Sequence, residues 1–332
     1  MASEIAATTF PTNLLFSVKV NDNVKGSFYG CVAAVSYGLN PVCALTLYRE
    51  GLTPASVLFY RFAIGAALLA LMMVAQRRDF SVTRREAGVL ALLGVLFAVS
   101  SLTYFLGFNY MSGGVAATLV FSYPVFTAML MALFFGERLA WPSWLAVALT
   151  MGGIALLYKG DGKHIAAAGV ALIMVSALSY ALYIVVVNRS RVVMSSVKLT
   201  FYAMAVCLLC VALFASFAPG AGVQPLTTPT QWAVAFALGL VPTVVSLVFM
   251  AMAIKKIGST PTAVMGALEP VTAVLLGALL FGDRVTPRVA AGVAAILVAV
   301  LLIILGGQVR AAAARFRVLR RGRLVIKRWR WK

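Results

Sequence analysis

Apolar residues fill this chain in blocks of about 20, the length that carries a helix across a bilayer, and short polar breaks separate the blocks. Ten such blocks are predicted as membrane helices. They run roughly over Gly26–Leu47, Pro54–Ala75, Glu86–Phe108, Gly114–Phe135, Pro142–Leu157, Ile165–Val187, Ser196–Phe217, Trp232–Ile254, Pro261–Phe281 and Pro287–Leu305. The weakest break lies between the third and fourth, where Asn109, Met111, Ser112 and the Gly113-Gly114 pair are the only markers. Fusing those two blocks would leave one apolar stretch of about 50 residues, far too long for a single crossing.

Two of the blocks resemble each other. Ala116–Arg138 reads AATLVFSYPVFTAMLMALFFGER, and Thr262–Arg284 reads TAVMGALEPVTAVLLGALLFGDR. Overlaid at a constant shift, Pro124 falls on Pro270, and Phe135, Gly136 and Arg138 fall on Phe281, Gly282 and Arg284, with Glu137 opposite Asp283. Upstream, Ala33–Tyr37 resembles Ser176–Tyr180, and Gly26 then falls on Gly169. The first span therefore pairs with the sixth and the fourth with the ninth. Each copy holds five spans. Because five is odd, the second copy enters the membrane from the opposite side. The expected fold is an all-α polytopic protein of ten transmembrane helices in two inverted five-helix repeats. The expected division is an N-terminal segment 1–25, repeats 26–159 and 160–306, and a basic tail 307–332. Inverted repeats are typical of alternating-access carriers, with substrate near the midplane between the halves.

Composition agrees with a membrane protein. The chain is 62% hydrophobic and 11% charged, with a mean hydropathy of +0.99, far from the balance of a soluble domain. The net charge of +19 sits in short loops and the tail. With the N-terminus in the cytoplasm, the inner side receives Lys19, Lys25, Arg77, Arg78, Arg84, Arg85, Arg138, Arg189, Arg191, Lys198, Lys255, Lys256 and the tail. The outer side receives only Arg49, Lys159, Lys163, Arg284 and Arg288. The positive-inside rule thus predicts N-in and C-in. From Arg310 to Lys332 the basic residues are interleaved with Trp329 and Trp331. That composition suits anionic lipid heads better than nucleic acid. No signal peptide and no Walker loop is recognised. Cys31, Cys43, Cys207 and Cys210 lie in apolar segments, and the one histidine, His164, lies in a polar loop. No metal site, disulfide or cofactor is expected.

Two five-span copies, each with a proline in its fourth helix and a Gly-acid-Arg ending, resemble the EamA-type transporters of the drug/metabolite transporter superfamily. Arg61-Phe62 and Glu269-Pro270-Val271 also resemble that family's motifs, and the likeness covers about Gly26 to Leu305. It implies a ten-helix bundle whose first, third, fourth, sixth, eighth and ninth spans line a central cavity. It also implies secondary transport, often export, of amino acids and related metabolites. The first copy departs from symmetry by carrying Tyr123 where the second has Glu269.

Glu269 is the first candidate for substrate binding or coupling. It lies about eight residues into its span, roughly 12 Å deep. Ionisable groups at such depth face a cavity or a partner. It would bind a substrate amino group, take up a proton, or hold helices together. Arg61 enters from the other face to a depth of roughly 10 Å, suited to a carboxylate or to bracing its span. Tyr37, Asn40, Tyr104, Ser122, Tyr123, Tyr180, Tyr183, Thr243 and Ser246 add rings and hydrogen-bonding groups on the expected lining helices. Each also has a plain packing reading. Pro124, Pro270 and Pro242 remove backbone hydrogen bonds inside spans and are hinge candidates.

The expected function is secondary active transport by alternating access, with no enzymatic activity, in a bacterial inner membrane. Export of an amino acid or related small metabolite comes first. Multidrug or cation efflux and proton-coupled uptake are the rivals, and a non-transporting membrane scaffold is a third reading.

Overall fold

The computed structural model describes residues 12–136, 141–158, 166–190, 192, 194–257, 262 and 265–302. The basic tail, Glu137, Arg138 and His164 lie outside the described residues. The described regular structure is helical, without a strand. Among the described residues, seven stretches are long and apolar enough to cross a membrane: Val24–Arg49, Pro54–Ala75, Arg84–Gly107, Gly113–Phe135, Ala167–Arg189, Ser196–Phe217 and Pro229–Ile257. Three shorter apolar helices stand at Trp144–Leu157, Leu268–Phe281 and Pro287–Leu302.

The helices in chain order are α1 (Thr12–Gly38), α2 (Asn40–Arg49), α3 (Pro54–Ala75), α4 (Arg84–Gly107), α5 (Gly113–Val120), α6 (Tyr123–Phe135), α7 (Trp141–Tyr158), α8 (Ala167–Arg189), α9 (Ser196–Phe217), α10 (Pro229–Gly239), α11 (Ser246–Ile257), α12 (Leu268–Leu276) and α13 (Pro287–Leu302). Their starts follow local chemistry. Thr53, Ser112 and Ser195 accept hydrogen bonds from the amides of Ser56, Val115 and Lys198. Thr83 with Glu86, and Thr228 with Gln231, form full capping boxes. Each such cap satisfies helix-start amides that have no partner within the helix. The Ser112 cap marks the break between the third and fourth blocks.

Several spans are not single rods. The first is interrupted at Leu39, between α1 and α2. The fourth is interrupted at Phe121-Ser122, so Pro124 opens α6 instead of kinking a continuous helix. Pro242 sits in a π-helical turn, Leu240–Val245, between α10 and α11. A second π turn, Gly277–Phe281, closes α12. Gly136 and Gly282 end the matched fourth and ninth stretches with φ of 66° and 73°. A side chain is strained in that left-handed conformation, so glycine stands at both places.

The neighbours of each helix fall into couples. α1 packs on α11, and α8 packs on α4; α3 packs on α9, and α5 on α12. Individual contacts repeat the scheme. Gly26 leaves room for Ile257, and Gly169 leaves room for Tyr110. Gly94 receives Val206, and Gly239 receives Ile64. Gly153 sits against Ile296, while Gly292 sits against Leu157. Ser246 Oγ donates to Ala33 O at 2.9 Å, and Ser176 Oγ donates to Ser100 O at 2.8 Å. At the two ends of the bundle, Arg49 lies over the Phe281 ring at 4.3 Å and Arg189 over the Phe135 ring at 4.1 Å.

Candidate substrate cavity

α1, α3, α4, α5/α6, α8, α11 and the start of α12 surround one cavity of about 90 Å³. A water needs about 10–15 Å³ by this measure, so the space admits several waters or a small polar ligand. Glu269, Arg61, Tyr37, Tyr104, Tyr123, Tyr180 and Ser246 all line it. The structure thus joins the two charges that the sequence placed at different depths. No direct ion pair joins them among the described contacts. The Tyr37 ring is also at this cavity, near enough to feel both charges.

Glu269 is placed by the backbone. Gly38, at the end of α1, carries no side chain where the Glu269 carbonyl and Thr272 approach; an added Cβ would lie 2.8 Å from each. The Glu269 amide turns back to Gly266 O at 2.9 Å. Pro270, one residue on, could not make such a bond itself. Glu269 is therefore held at the first turn of α12, where the positive end of the helix favours a carboxylate.

Arg61 is 3% exposed. Its Nε donates to Thr243 Oγ1 at 3.3 Å, and its guanidinium lies 5.7 Å from the Phe62 ring and 5.5 Å from the Phe105 ring. Thr243 belongs to the π turn around Pro242. Proline has no amide to offer Leu238 O four residues back, and the Thr243 hydroxyl donates to that carbonyl at 3.1 Å. One hydroxyl thus repairs the backbone and accepts from the cavity's cation.

The tyrosines form a wall. Tyr123 meets Tyr180 edge to face at 4.7 Å, and Tyr180 stacks on Tyr183 at 5.8 Å. Phe97 packs on Tyr180 and Tyr183, and Tyr104 meets Phe108 at 4.6 Å. Four expected residues stand back from the cavity. Tyr183 buttresses Tyr180, and Thr243 holds Arg61. Ser122 donates to Leu119 O at 2.7 Å, back across the interruption of its own span. Asn40 is buried just past the break in the first span. Phe97, Ser100, Ser101 and Ser176 line the cavity as well and were not singled out in the sequence. The resemblance of Ser176–Tyr180 to Ala33–Tyr37 was the available signal for Ser176.

A bundle of apolar helices around a small cavity of aromatic rings and a few polar groups is that of a multi-pass membrane protein. The model of the EamA-like transporter family matches residues 24–159 and again residues 167–305, and the chain belongs to that family. It is similar to the uncharacterized transporter YcbK of Bacillus subtilis, at 24% identity over 80% of this chain and 88% of that protein. It is also similar to an S-adenosylmethionine uptake transporter of Rickettsia conorii, at 24% identity over 80% of this chain and 88% of that protein. A solved crystal structure shares the fold with a TM-score of 0.58 and 19% identity, over 84% of this chain and 96% of that one.

Proposed function

We propose that this protein is a secondary carrier for an amino acid or a related small metabolite, working by alternating access and, in the cell, as an exporter. The observation that carries the reading is the cavity itself. Glu269 and Arg61, on different halves of the chain, face one space walled by tyrosines. A half-buried carboxylate and a separate buried guanidinium complement the amino and carboxylate groups of a zwitterion, and aromatic walls supply tolerant apolar contact. The Rickettsia relative is named for S-adenosylmethionine, an amino-acid derivative, which suits the same class.

In this reading ten spans form two inverted repeats, 26–159 and 160–306, with both termini in the cytoplasm of a bacterial inner membrane. The exchanged contact pairs support the repeat, and the basic loops support the orientation. Residues 307–332 associate with anionic lipid and not with nucleic acid. The carrier uses no cofactor and catalyses no covalent reaction. Glu269 is the candidate proton site where transport is coupled.

Proteoliposome counterflow tests the proposal with a panel of labelled amino acids, with and without an imposed pH gradient, beside Glu269→Gln. Saturable counterflow of one class, with its pH response lost in the variant, is the expected result. Folded protein that moves nothing in the panel would overturn the amino-acid reading and favour bulkier cations.

A further inference from the structure

A second cavity, of about 170 Å³, lies between α3, α9 and α11 at the end of the bundle rich in basic residues. Its floor is apolar: Leu69, Met72, Val197, Leu247, Val248 and Ala251. Its mouth carries Arg78 and Lys255, with Gln76, Ser196 and Thr200 beside them. No acidic side chain lines it.

The rim is built with care for one residue. α3 ends in a Schellman turn, in which the Arg77 amide donates to Val74 O and the Arg78 amide to Met73 O, both at 2.9 Å. Glycine is usual at the left-handed position of this turn, yet Arg77 occupies it with φ of 49°. The turn sends Arg78 back over the groove, where its Nε donates to Gln76 Oε1 at 2.6 Å. The following loop is tied to α9. Lys198 Nζ donates to Ser81 O at 2.6 Å, and the Tyr202 hydroxyl donates to Phe80 O. Asp79, the acid in that loop, is engaged by the hydroxyl and amide of Ser81, which hold its carboxyl below its ordinary range. The opposite lip is the last turn of α11, whose carbonyl end favours the cations Lys255 and Lys256.

We infer that this groove binds an anionic phospholipid, its acyl chain on the apolar floor and its phosphate between Arg78 and Lys255. A cationic mouth over an apolar crevice at the membrane surface matches the two ends of such a molecule. A soluble anion would have no use for the floor, and a neutral lipid no use for the mouth. The site lies beside the transport path, because Leu247 forms part of both its floor and the wall of the central cavity. A lipid seated there braces α11 just after the π turn that positions Arg61.

Native mass spectrometry of the full chain in neutral detergent tests the site, by counting phosphatidylglycerol retained against phosphatidylcholine. R78Q/K255Q should retain phosphatidylglycerol about tenfold less well than the parent, since each basic residue near an anionic surface has a substantial effect. R84Q/R85Q removes equal charge from the same end outside the groove and should retain it as the parent does. Equal losses in both double variants would reduce the effect to bulk charge and overturn the site. Ala251→Trp fills the floor with both cations in place, and it should also lose the lipid; unchanged retention would overturn the seat proposed for the acyl chain. Inorganic phosphate should not displace the lipid. Displacement at millimolar phosphate would show a bare anion site instead.

Discussion

The two halves of this protein agree in how they pack and differ in what they charge. Gly94 against Val206 and Gly239 against Ile64 are one contact made twice with the partners exchanged. The serine bonds join matched pairs of positions, Ala33 with Ser246 and Ser176 with Ser100, but the donor lies on α11 in one and on α8 in the other. Inside the cavity Tyr37 and Tyr180 still match, but the charges do not. Tyr123 occupies the place that Glu269 holds in the second half, and α9, the counterpart of α3, has no charged residue from Leu199 to Phe217 to match Arg61. Helix contacts must hold for both copies to pack on each other, so a change on one side has a cost on the other. Cavity side chains answer only to the solute, and an asymmetric solute calls for asymmetric charges. The difference between scaffold and cavity is thus the best guide to what the protein carries.

The sharpest way to break this comparison is to treat the matched cavity positions alike. Glu269→Gln should lower counterflow about tenfold to a hundredfold, the effect of losing a hydrogen bond to a charged group. Tyr123→Phe, at the corresponding position, should lower it far less. Equal losses would mean that the carboxylate has no special part. Next come the matched glycines. Gly94→Leu and Gly239→Leu should each destabilise the detergent-solubilised protein by about 1–3 kcal/mol, as overpacking does. If thermal melting found one harmless and the other severe, the exchanged packing would not be equivalent. The serine pair predicts a smaller effect. Ser176→Ala and Ser246→Ala should each cost about 0.6 kcal/mol, the usual size of an interhelical hydrogen bond in a membrane. The ends of the bundle should show effects of similar size. Arg49→Gln and Arg189→Gln each remove a cation–ring contact of about 0.5–1 kcal/mol. Cysteine accessibility from the two sides of the membrane should then shift in opposite directions; a shift in the same direction would sink the idea that these contacts close opposite ends.

Much of the scaffold was legible in the sequence because membrane spans are written in runs of about 20 apolar residues. The Phe-Gly-acid-Arg ending of Phe281–Arg284 marked the close of its helix because Gly282 takes a conformation that side chains resist. The charged pair was legible too, since an acid and an arginine inside apolar blocks have little purpose other than a cavity or a partner. What could not be read was the interruption of the spans. Leu39 and Phe121-Ser122 are composed like any stretch of membrane helix, and tertiary contacts decide where such a helix breaks. The π turn was hidden for a related reason. Pro242 announced a missing amide, but only the fold says which group replaces it. Ser100 and Ser101 escaped because serines within helices often bond to their own backbone; here Ser100 meets Ser176 across the α4–α8 crossing at 3.1 Å.

The double duty of the Thr243 hydroxyl has a consequence for how this chain can drift. With Pro242→Ala, Leu238 O regains an amide donor, and the backbone no longer depends on its neighbour. With Thr243→Val alone, that carbonyl loses a hydroxyl donor and the arginine loses one of its acceptors at once. The two substitutions therefore carry strong epistasis: the second is tolerated better after the first than before it. Pro242 and Thr243 form a single heritable unit, and a lineage that abandons the hydroxyl must first mend the bend it repairs.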